Sequence, residues 1–414
     1  MTAGPIRPYG KKMKKKTKNI LTALICVIIA SSLCSCVFPI PRPEPDDTSQ
    51  SETTAYQTVD LQTADLDRDN AEFSPRVPEG SMPFYNVVSR YAWSILSDEN
   101  KRLYYDILEA ALSYKSSVAV SGAEAAAYVY ECVFFDCPEL FYLEETATYE
   151  NGSLVFGYAF DRGEAEQIAE GLEQAYEEFL AGVTPDMTDY DKLFYLYEYI
   201  INRTKYAEEE GDDYDNGVIT EKVRRASCAA GPLIDRRSIC IGYARATQYL
   251  ALRLGIRTFT VRGFGNGGDH YYSLVLLDDG YYYVDTTWGD PVGEDRSIDY
   301  LTYYYFCITT EELLRSHEIR TNVPLPECTN MKYNYYVYNG LYTDDALKFA
   351  DMTYKAFVKG DAKIQIKVDH DRLDEFYDEV KVAVIERFDL EGAGDQPMRI
   401  GRSDGPSLIT VFFS

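Results

Sequence analysis

Cys240, His270 and Asp285 are of the residue types, and occur in the order, that nucleophilic acyl chemistry needs. A thiol supplies the nucleophile. An imidazole takes its proton and later returns it to a leaving amine, while a carboxylate fixes the imidazole's tautomer and stabilises its cation. A single cysteine is more often a small buried hydrophobe than a nucleophile, so the weight falls on the combination. Histidine is scarce, three in 414 residues, which makes His270 almost the only partner Cys240 could have.

The elements that must position these groups can be read around them. Cys240, Tyr243, Ala244, Thr247, Leu250, Ala251 and Leu254 are apolar or small and precede Gly255, which predicts a helix over 239–254 with Cys240 in its first turn. Unpaired N–H groups and the positive dipole end favour a thiolate there, and the Cys240 amide is a candidate oxyanion donor. Gly242 is poor for helix propensity but lets another backbone or a substrate approach closely. Residues 271–277 and 281–287 read as strands joined at Asp278-Asp279-Gly280. A tight turn at Asp279-Gly280 sets residue 274 opposite 285, so His270 and Asp285 share a face but are offset by four residues. Contact then requires another register, a bulge or strong twist.

This pattern resembles the transglutaminase-like superfamily, a papain-related cysteine fold with triad order Cys, His, Asp. The resemblance is carried by Ile239-Cys240-Ile241-Gly242-Tyr243-Ala244, the Leu254-Gly255-Ile256 turn into a strand, His270, and Tyr281-Tyr282-Tyr283-Val284-Asp285-Thr286-Thr287-Trp288-Gly289-Asp290. It covers about residues 190–295, a quarter of the chain. Where the family often has Ala-Trp-Asn after its His, this chain has Tyr271-Tyr272-Ser273. The resemblance implies Cys240 as nucleophile, His270 as base and Asp285 as orienter. Gly242, Tyr243, Tyr271 and Trp288 become candidates for a substrate groove, with Trp288 better suited to a packing wall than to catalysis. The implied fold is α+β: a helix bearing the Cys packed on an antiparallel sheet bearing His and Asp. Members include amide crosslinkers, peptidases, deglycosylating amidases and inactive binding versions, so the implied reaction class is acyl transfer at an amide carbonyl through a thioester.

Net charge is −26, yet residues 1–35 hold seven basic residues and no acidic one, which leaves the body more acidic still. Such a body repels phosphates, and no basic patch with interleaved aromatics is present, which argues against nucleic acid as a partner. Tyrosine, at 37 residues against two tryptophans, suits half-wet strand faces and core edges.

Lysines at 11–18, an apolar run at 20–30 and then Ser31-Ser32-Leu33-Cys34-Ser35-Cys36 have the layout of a secretory signal. The apolar run is short for a membrane span. Leu33-Cys34-Ser35-Cys36 resembles the lipobox of bacterial lipoproteins, with Cys36 the lipidated residue, although Cys34 departs from the usual small residue there. Met13-Lys14-Lys15-Lys16 is a more typical opening than residues 1–12. Residues 37–80 are Pro, Asp, Thr, Ser and Gln with few large apolar groups, the composition of a tether. The body is therefore expected on the extracytoplasmic face of a membrane, held by a lipid anchor at Cys36.

The expected organisation is a signal (1–35), a disordered tether (36–81), an α-rich region with a β-hairpin (82–185), the catalytic core (186–340) and a small α+β appendage (341–414). In the α-rich region, helices are predicted from Ser97-Asp98-Glu99 onward and at 123–135 and 164–180, with a hairpin around Asn151-Gly152; another helix, 190–206, leads into the core. Residues 208–216 read as an acidic solvated loop whose order lacks the EF-hand pattern. A strand is predicted over 300–309 and a helix over 310–314. The Tyr-rich segment 333–336 either walls a groove or packs in the core. In the appendage, 362–369 and 408–413 read as strands that either form their own sheet or extend the core sheet, and 373–384 reads as a helix or helix–strand. His317 and His370 stand in charged surroundings and read as surface residues. Cys132, Cys137, Cys228, Cys307 and Cys328 are an odd number, so not all form intramolecular disulfides, and no CxxC pair suggests zinc. Neither metal nor cofactor is expected.

Two functions follow. One is a surface-anchored cysteine acyl transferase or peptidase acting on amide bonds of proteins or peptides, with the envelope as the expected source. The other is an extracellular binding or scaffolding lipoprotein that keeps the fold without turnover.

Overall fold

A computed structural model describes residues 36–38, 87–290, 301–394 and 396–413. The signal and nearly all of the tether lie outside the described residues. Among those described, no helix is long and apolar enough to cross a membrane.

The chain is mixed α+β with antiparallel sheets. Its first sheet comprises β1 (Cys36–Phe38), β2 (Ser117–Ala119), β3 (Leu143–Glu150) and β4 (Ser153–Tyr158), ordered β1-β3-β4-β2. The predicted hairpin is β3–β4; both Asn151 and Gly152 have positive φ (48° and 79°), as a tight hairpin turn requires. The helices of this region are α1 (Tyr91–Ile95), α2 (Asp98–Leu112), α3 (Ala123–Asp136) and α4 (Arg162–Leu180), of which α2 and α3 pack on the first sheet. The Ser97 hydroxyl caps α2, and Asp161 and Glu164 form a reciprocal capping box on α4.

Next come α5 (Asp189–Arg203), β5 (Lys205–Tyr206), α6 (Glu208–Asp215), α7 (Glu221–Ala226), β6 (Arg237–Ser238) and α8 (Cys240–Arg253). Residues 208–216, expected as a solvated loop, are instead the helix α6. Three glutamates fill its first turn, where the dipole favours anions. One side is tied down: Glu210 pairs with Arg237 at 2.6 Å and the buried Tyr214 hydroxyl donates to Glu145 at 2.5 Å. The spacing of four between Glu210 and Tyr214 puts both on one helical face.

The central sheet is β7 (Thr258–Gly265), β8 (Gly268–Leu277), β9 (Gly280–Val284), β10 (Phe306–Ile308) and β11 (His317–Ile319), ordered β10-β9-β8-β7-β11. α8 packs on β7 and β8 and is buried from Cys240 to Ala251. The predicted strand over 300–309 shrinks to β10, and α9 (Thr310–Leu314) follows as expected. The Tyr-rich segment packs inward, and Tyr335 and Tyr336 open α10 (Tyr335–Tyr338), with Tyr336 buried. Tyr335 stacks on Tyr303 with centroids 3.9 Å apart, and Tyr333 stacks on Tyr190 of α5.

The C-terminal residues form α11 (Ala346–Lys359), β12 (Lys363–Lys367), α12 (Leu373–Leu390), β13 (Met398–Ser403) and β14 (Leu408–Phe413). Their sheet, β12-β14-β13, is separate from the central one, and Phe349, Phe376, Val380, Phe388 and Ile409 belong to a second apolar core.

Candidate functional site

The start of α8 is held by backbone. Ile239, its N-cap, has no side-chain cap, but its N–H donates to the Ala226 carbonyl at 3.2 Å and the Ser238 hydroxyl donates to the same oxygen at 2.7 Å. Gly242 explains the closeness: a Cβ there would stand 2.2 Å from the Ala226 oxygen. Gly242 is thus a packing contact with the 226–228 backbone, not part of a substrate groove. Cys240 is the first residue of α8, and its N–H has no hydrogen-bond partner among the described residues, as befits a first-turn donor.

His270 sits near the start of β8, and Asp285 directly follows β9. The hairpin register differs from the expectation. Leu277 pairs with Gly280, so Asp278 and Asp279 are the turn residues and Ser273 pairs with Val284. Continued by one residue, this register sets Asp285 opposite Tyr272. The offset from His270 is therefore two residues on the same face, a diagonal neighbour rather than the predicted four. No bulge is needed. His270 Nε2 and Asp285 Oδ2 stand 2.7 Å apart.

With Nε2 engaged by Asp285, Nδ1 is the ring nitrogen left to face the Cys240 thiol, which lies close enough to His270 to favour its charged form. The thiol also lies 3.9 Å from the Asp269 carbonyl. Burial works against a charged His270, but the Asp285 carboxylate, the hydrogen bond to it and the nearby Cys240 thiol outweigh it, and its pKa is pushed up to about 10. For Asp285, burial pushes the other way. The His270 charge and the hydrogen bonds from His270 and His317 prevail and hold the carboxyl well below its ordinary range. All three residues are nearly enclosed: Cys240 is 6 % exposed, His270 5 % and Asp285 1 %.

His317, expected at the surface, is buried and shares Asp285. Its Nε2 lies 3.1 Å from Oδ2, the same oxygen that His270 engages. It reaches there because β11 is an edge strand paired with β7, His317 opposite Gly265. Gly263 and Gly265 leave that face of β7 bare, so rings from either side can meet over it. Nothing local in Ser316-His317-Glu318-Ile319 announces this, since the pairing joins strands over 50 residues apart. His370 is exposed, as expected.

The remaining groove candidates divide. Tyr243 is fully buried and its hydroxyl donates to Asp290 at 2.7 Å. Tyr271 is likewise buried, donating to Glu145 at 2.8 Å. Both are committed to the interior and cannot line an open groove. Trp288 is half-buried, its ring centroid 5.1 Å from His270 and 4.1 Å from His317. It walls the two imidazoles. The five other described free cysteines, Cys132, Cys137, Cys228, Cys307 and Cys328, are buried and unpaired.

Among the described residues, His270, Asp285 and His317 are the one grouping whose ligand atoms could hold a metal, all within 4.8 Å of one another. The cluster is already satisfied by hydrogen bonds. Asp285 Oδ1 accepts from the N–H groups of Thr287 at 2.8 Å and Trp288 at 3.1 Å, while Oδ2 faces the two imidazoles.

No family model matches the chain, and no curated protein matches it. A solved structure described as "Crystal structure of a TGase" aligns with 35 % of this chain and 43 % of that one, at 14 % identity and a TM-score of 0.27. The chain thus spans less than half of that structure's length, and a likeness of this size carries no argument about activity.

Proposed function

We propose that the protein is a transglutaminase-like cysteine acyl transferase or peptidase, lipid-anchored at Cys36 on the extracytoplasmic face, acting on amide bonds of proteins or peptides. The observation that carries this reading is the His270–Asp285 hydrogen bond at 2.7 Å beside Cys240, the first residue of a buried helix. In the proposed reaction the thiol proton rests on His270, whose imidazolium is favoured beside Asp285, and the Cys240 thiolate Sγ attacks the amide carbonyl carbon. The oxyanion is met by the Cys240 N–H, which the helix leaves free. As the C–N bond breaks, the His270 imidazolium, stabilised by Asp285, gives its proton to the departing amine, leaving a thioester. Water or a second amine then attacks the thioester, losing its proton to His270, and the thiol is restored.

The proposal is tested by alkylating the native protein with iodoacetamide and locating the label by mass spectrometry. Cys240 should react at least about tenfold faster than free cysteine at neutral pH, and His270→Gln should remove that advantage. Equal rates in both proteins would sink the reading. Incubation with envelope peptides and a labelled primary amine then separates cleavage from crosslinking.

The near-complete enclosure of Cys240 supports a second reading, a binding or scaffolding lipoprotein that keeps the fold without turnover. It gains if ligand affinity survives Cys240→Ala and no amide substrate is consumed.

A further inference from the structure

Asp285 is met by four N–H groups: two from its own following backbone on Oδ1, and two imidazoles on Oδ2. A carboxylate offers about four lone-pair positions, so the group is fully subscribed. One of the four donors, His317, has no place in a three-residue triad. Its surroundings show how it is held.

The Ser316 hydroxyl lies 2.9 Å from His317 Nδ1, and the Tyr305 hydroxyl donates to Ser316 Oγ at 3.2 Å. With its Oγ accepting from Tyr305, Ser316 has its own proton free to donate to Nδ1. That makes Nδ1 the acceptor and Nε2 the protonated nitrogen, the tautomer that can donate to Asp285. The ring cannot swing away. Trp288 packs on it at 4.1 Å, with Tyr305 and Tyr272 each at 5.2 Å. The titratable groups facing His317 are Asp285, His270, Tyr305 and Tyr272, and Asp285 is the one carboxylate among them.

We propose that His317 is a positioning residue, a second imidazole that clamps Asp285 Oδ2 so that the carboxylate stays aimed at His270 Nε2. The site is then a hydrogen-bonded line from Tyr305 through Ser316, His317 and Asp285 to His270, with Cys240 beside its end. The same three ligand atoms could gather a divalent metal, but the hydrogen-bonded arrangement accounts for every one of them without an ion. This inference rests on the acyl-transfer reading above.

The test uses two substitutions and two readouts on the intact protein. His317→Phe keeps an aromatic ring against Trp288 and loses the donor; His317→Gln places an amide N–H near the Nε2 position. The rate of Cys240 alkylation by iodoacetamide is followed against pH, alongside thermal unfolding. His317→Phe should slow labelling at neutral pH about tenfold, the scale of one hydrogen bond to a charged group. It should also move the acid limb of the profile to higher pH, and His317→Gln should restore most of both. A merely structural role lowers the melting temperature without moving the limb. An unmoved limb, or a Gln variant as impaired as Phe, overturns the proposal.

In the unaltered protein, nitrogen-15 spectra of the imidazoles should show His317 as a neutral Nε2–H tautomer. The Nδ1–H form overturns the clamp even where a variant fails to fold. If His270→Gln leaves labelling unchanged, the triad reading fails and the clamp falls with it; if His270→Gln slows labelling and His317→Phe does not, only the clamp falls. Stoichiometric Zn²⁺ binding lost in both His317→Phe and Asp285→Asn would replace the clamp with a metal centre.

Discussion

The ring of Trp288 lies directly over Gly265: a Cβ built there would stand 3.0 Å from Cζ2 and 3.2 Å from Cη2 of the indole, and 3.6 Å from His317. The bare backbone of β7 is the floor on which Trp288 and His317 rest beside Asp285. Gly265→Val should therefore lift the indole and displace His317. An overpacked site of this kind costs about 1–3 kcal/mol. Urea denaturation should show the loss, and Cys240 alkylation should slow with it. A variant as stable and as reactive as the parent would show that the ring can move freely.

Gly242 poses two opposing effects. Ala is the better helix former, by about 1 kcal/mol in an exposed helix interior. Here its Cβ would stand 2.1 Å from Ser238 Oγ and 2.2 Å from the Ala226 carbonyl oxygen, and a backbone oxygen does not give way cheaply. The clash wins. Gly242→Ala should lower unfolding free energy by about 2 kcal/mol, measured by denaturant titration, and should disturb Cys240 because the N-terminus of α8 is what must shift.

The His270–Asp285 pair makes stability depend on pH in a defined direction. His270 is raised from 6.5 to about 10, so its contribution is fully present below 6.5 and is lost as pH rises toward 10. Asp285 is depressed from 3.8, so its contribution is present above 3.8 and is lost as pH falls through the lower folded value. The advantage of the parent protein over His270→Gln should be greatest between about 4 and 6.5 and shrink steadily on the alkaline side. Unfolding curves at pH 5, 7 and 9 check this, and an advantage that grew with pH would contradict the assignment.

Lys367 of β12 pairs with Glu312 of α9 at 2.6 Å, their side chains 5 % and 10 % exposed. This ion pair ties the C-terminal sheet to the helix that follows β10. Lys367→Met would strand a nearly buried carboxylate, at a cost of about 3–5 kcal/mol. Replacing both residues with Met removes the stranded charge, so the double variant should unfold closer to the parent than the single one does. A double variant less stable than Lys367→Met would show that the cap Glu312 forms on α9 matters more than the pair.

Much of the framework was legible along the chain because it is set by local physics. Ser97 marks a helix start through side-chain capping, and Asn151-Gly152 marks a turn because positive φ is tolerated there. The helix of Cys240 followed from its apolar spacing and Gly255, whose φ is +83°. Residues 208–216 misled because their charge suggested solvation, while two of them, Glu210 and Tyr214, are committed to partners far away in sequence.

The chain by itself determined the candidates for chemistry: one thiol at a helix start, one imidazole opening a strand, and one carboxylate closing the next. Residue type and order settle that much, since each element declares itself within a few residues. Only the tertiary structure decided whether they meet. The hairpin register turned an offset of four into a diagonal contact of two. Moving the turn by one residue shifts the pairing by two, which leaves no trace in alternation because period-two patterning is unchanged by it. Pairing of β11 with β7 brought His317 to Asp285, and the cores that bury Tyr243 and Tyr271 removed them from any groove. These are contacts between segments distant in sequence, and their energies come from packing and shared hydrogen bonds that no local pattern records.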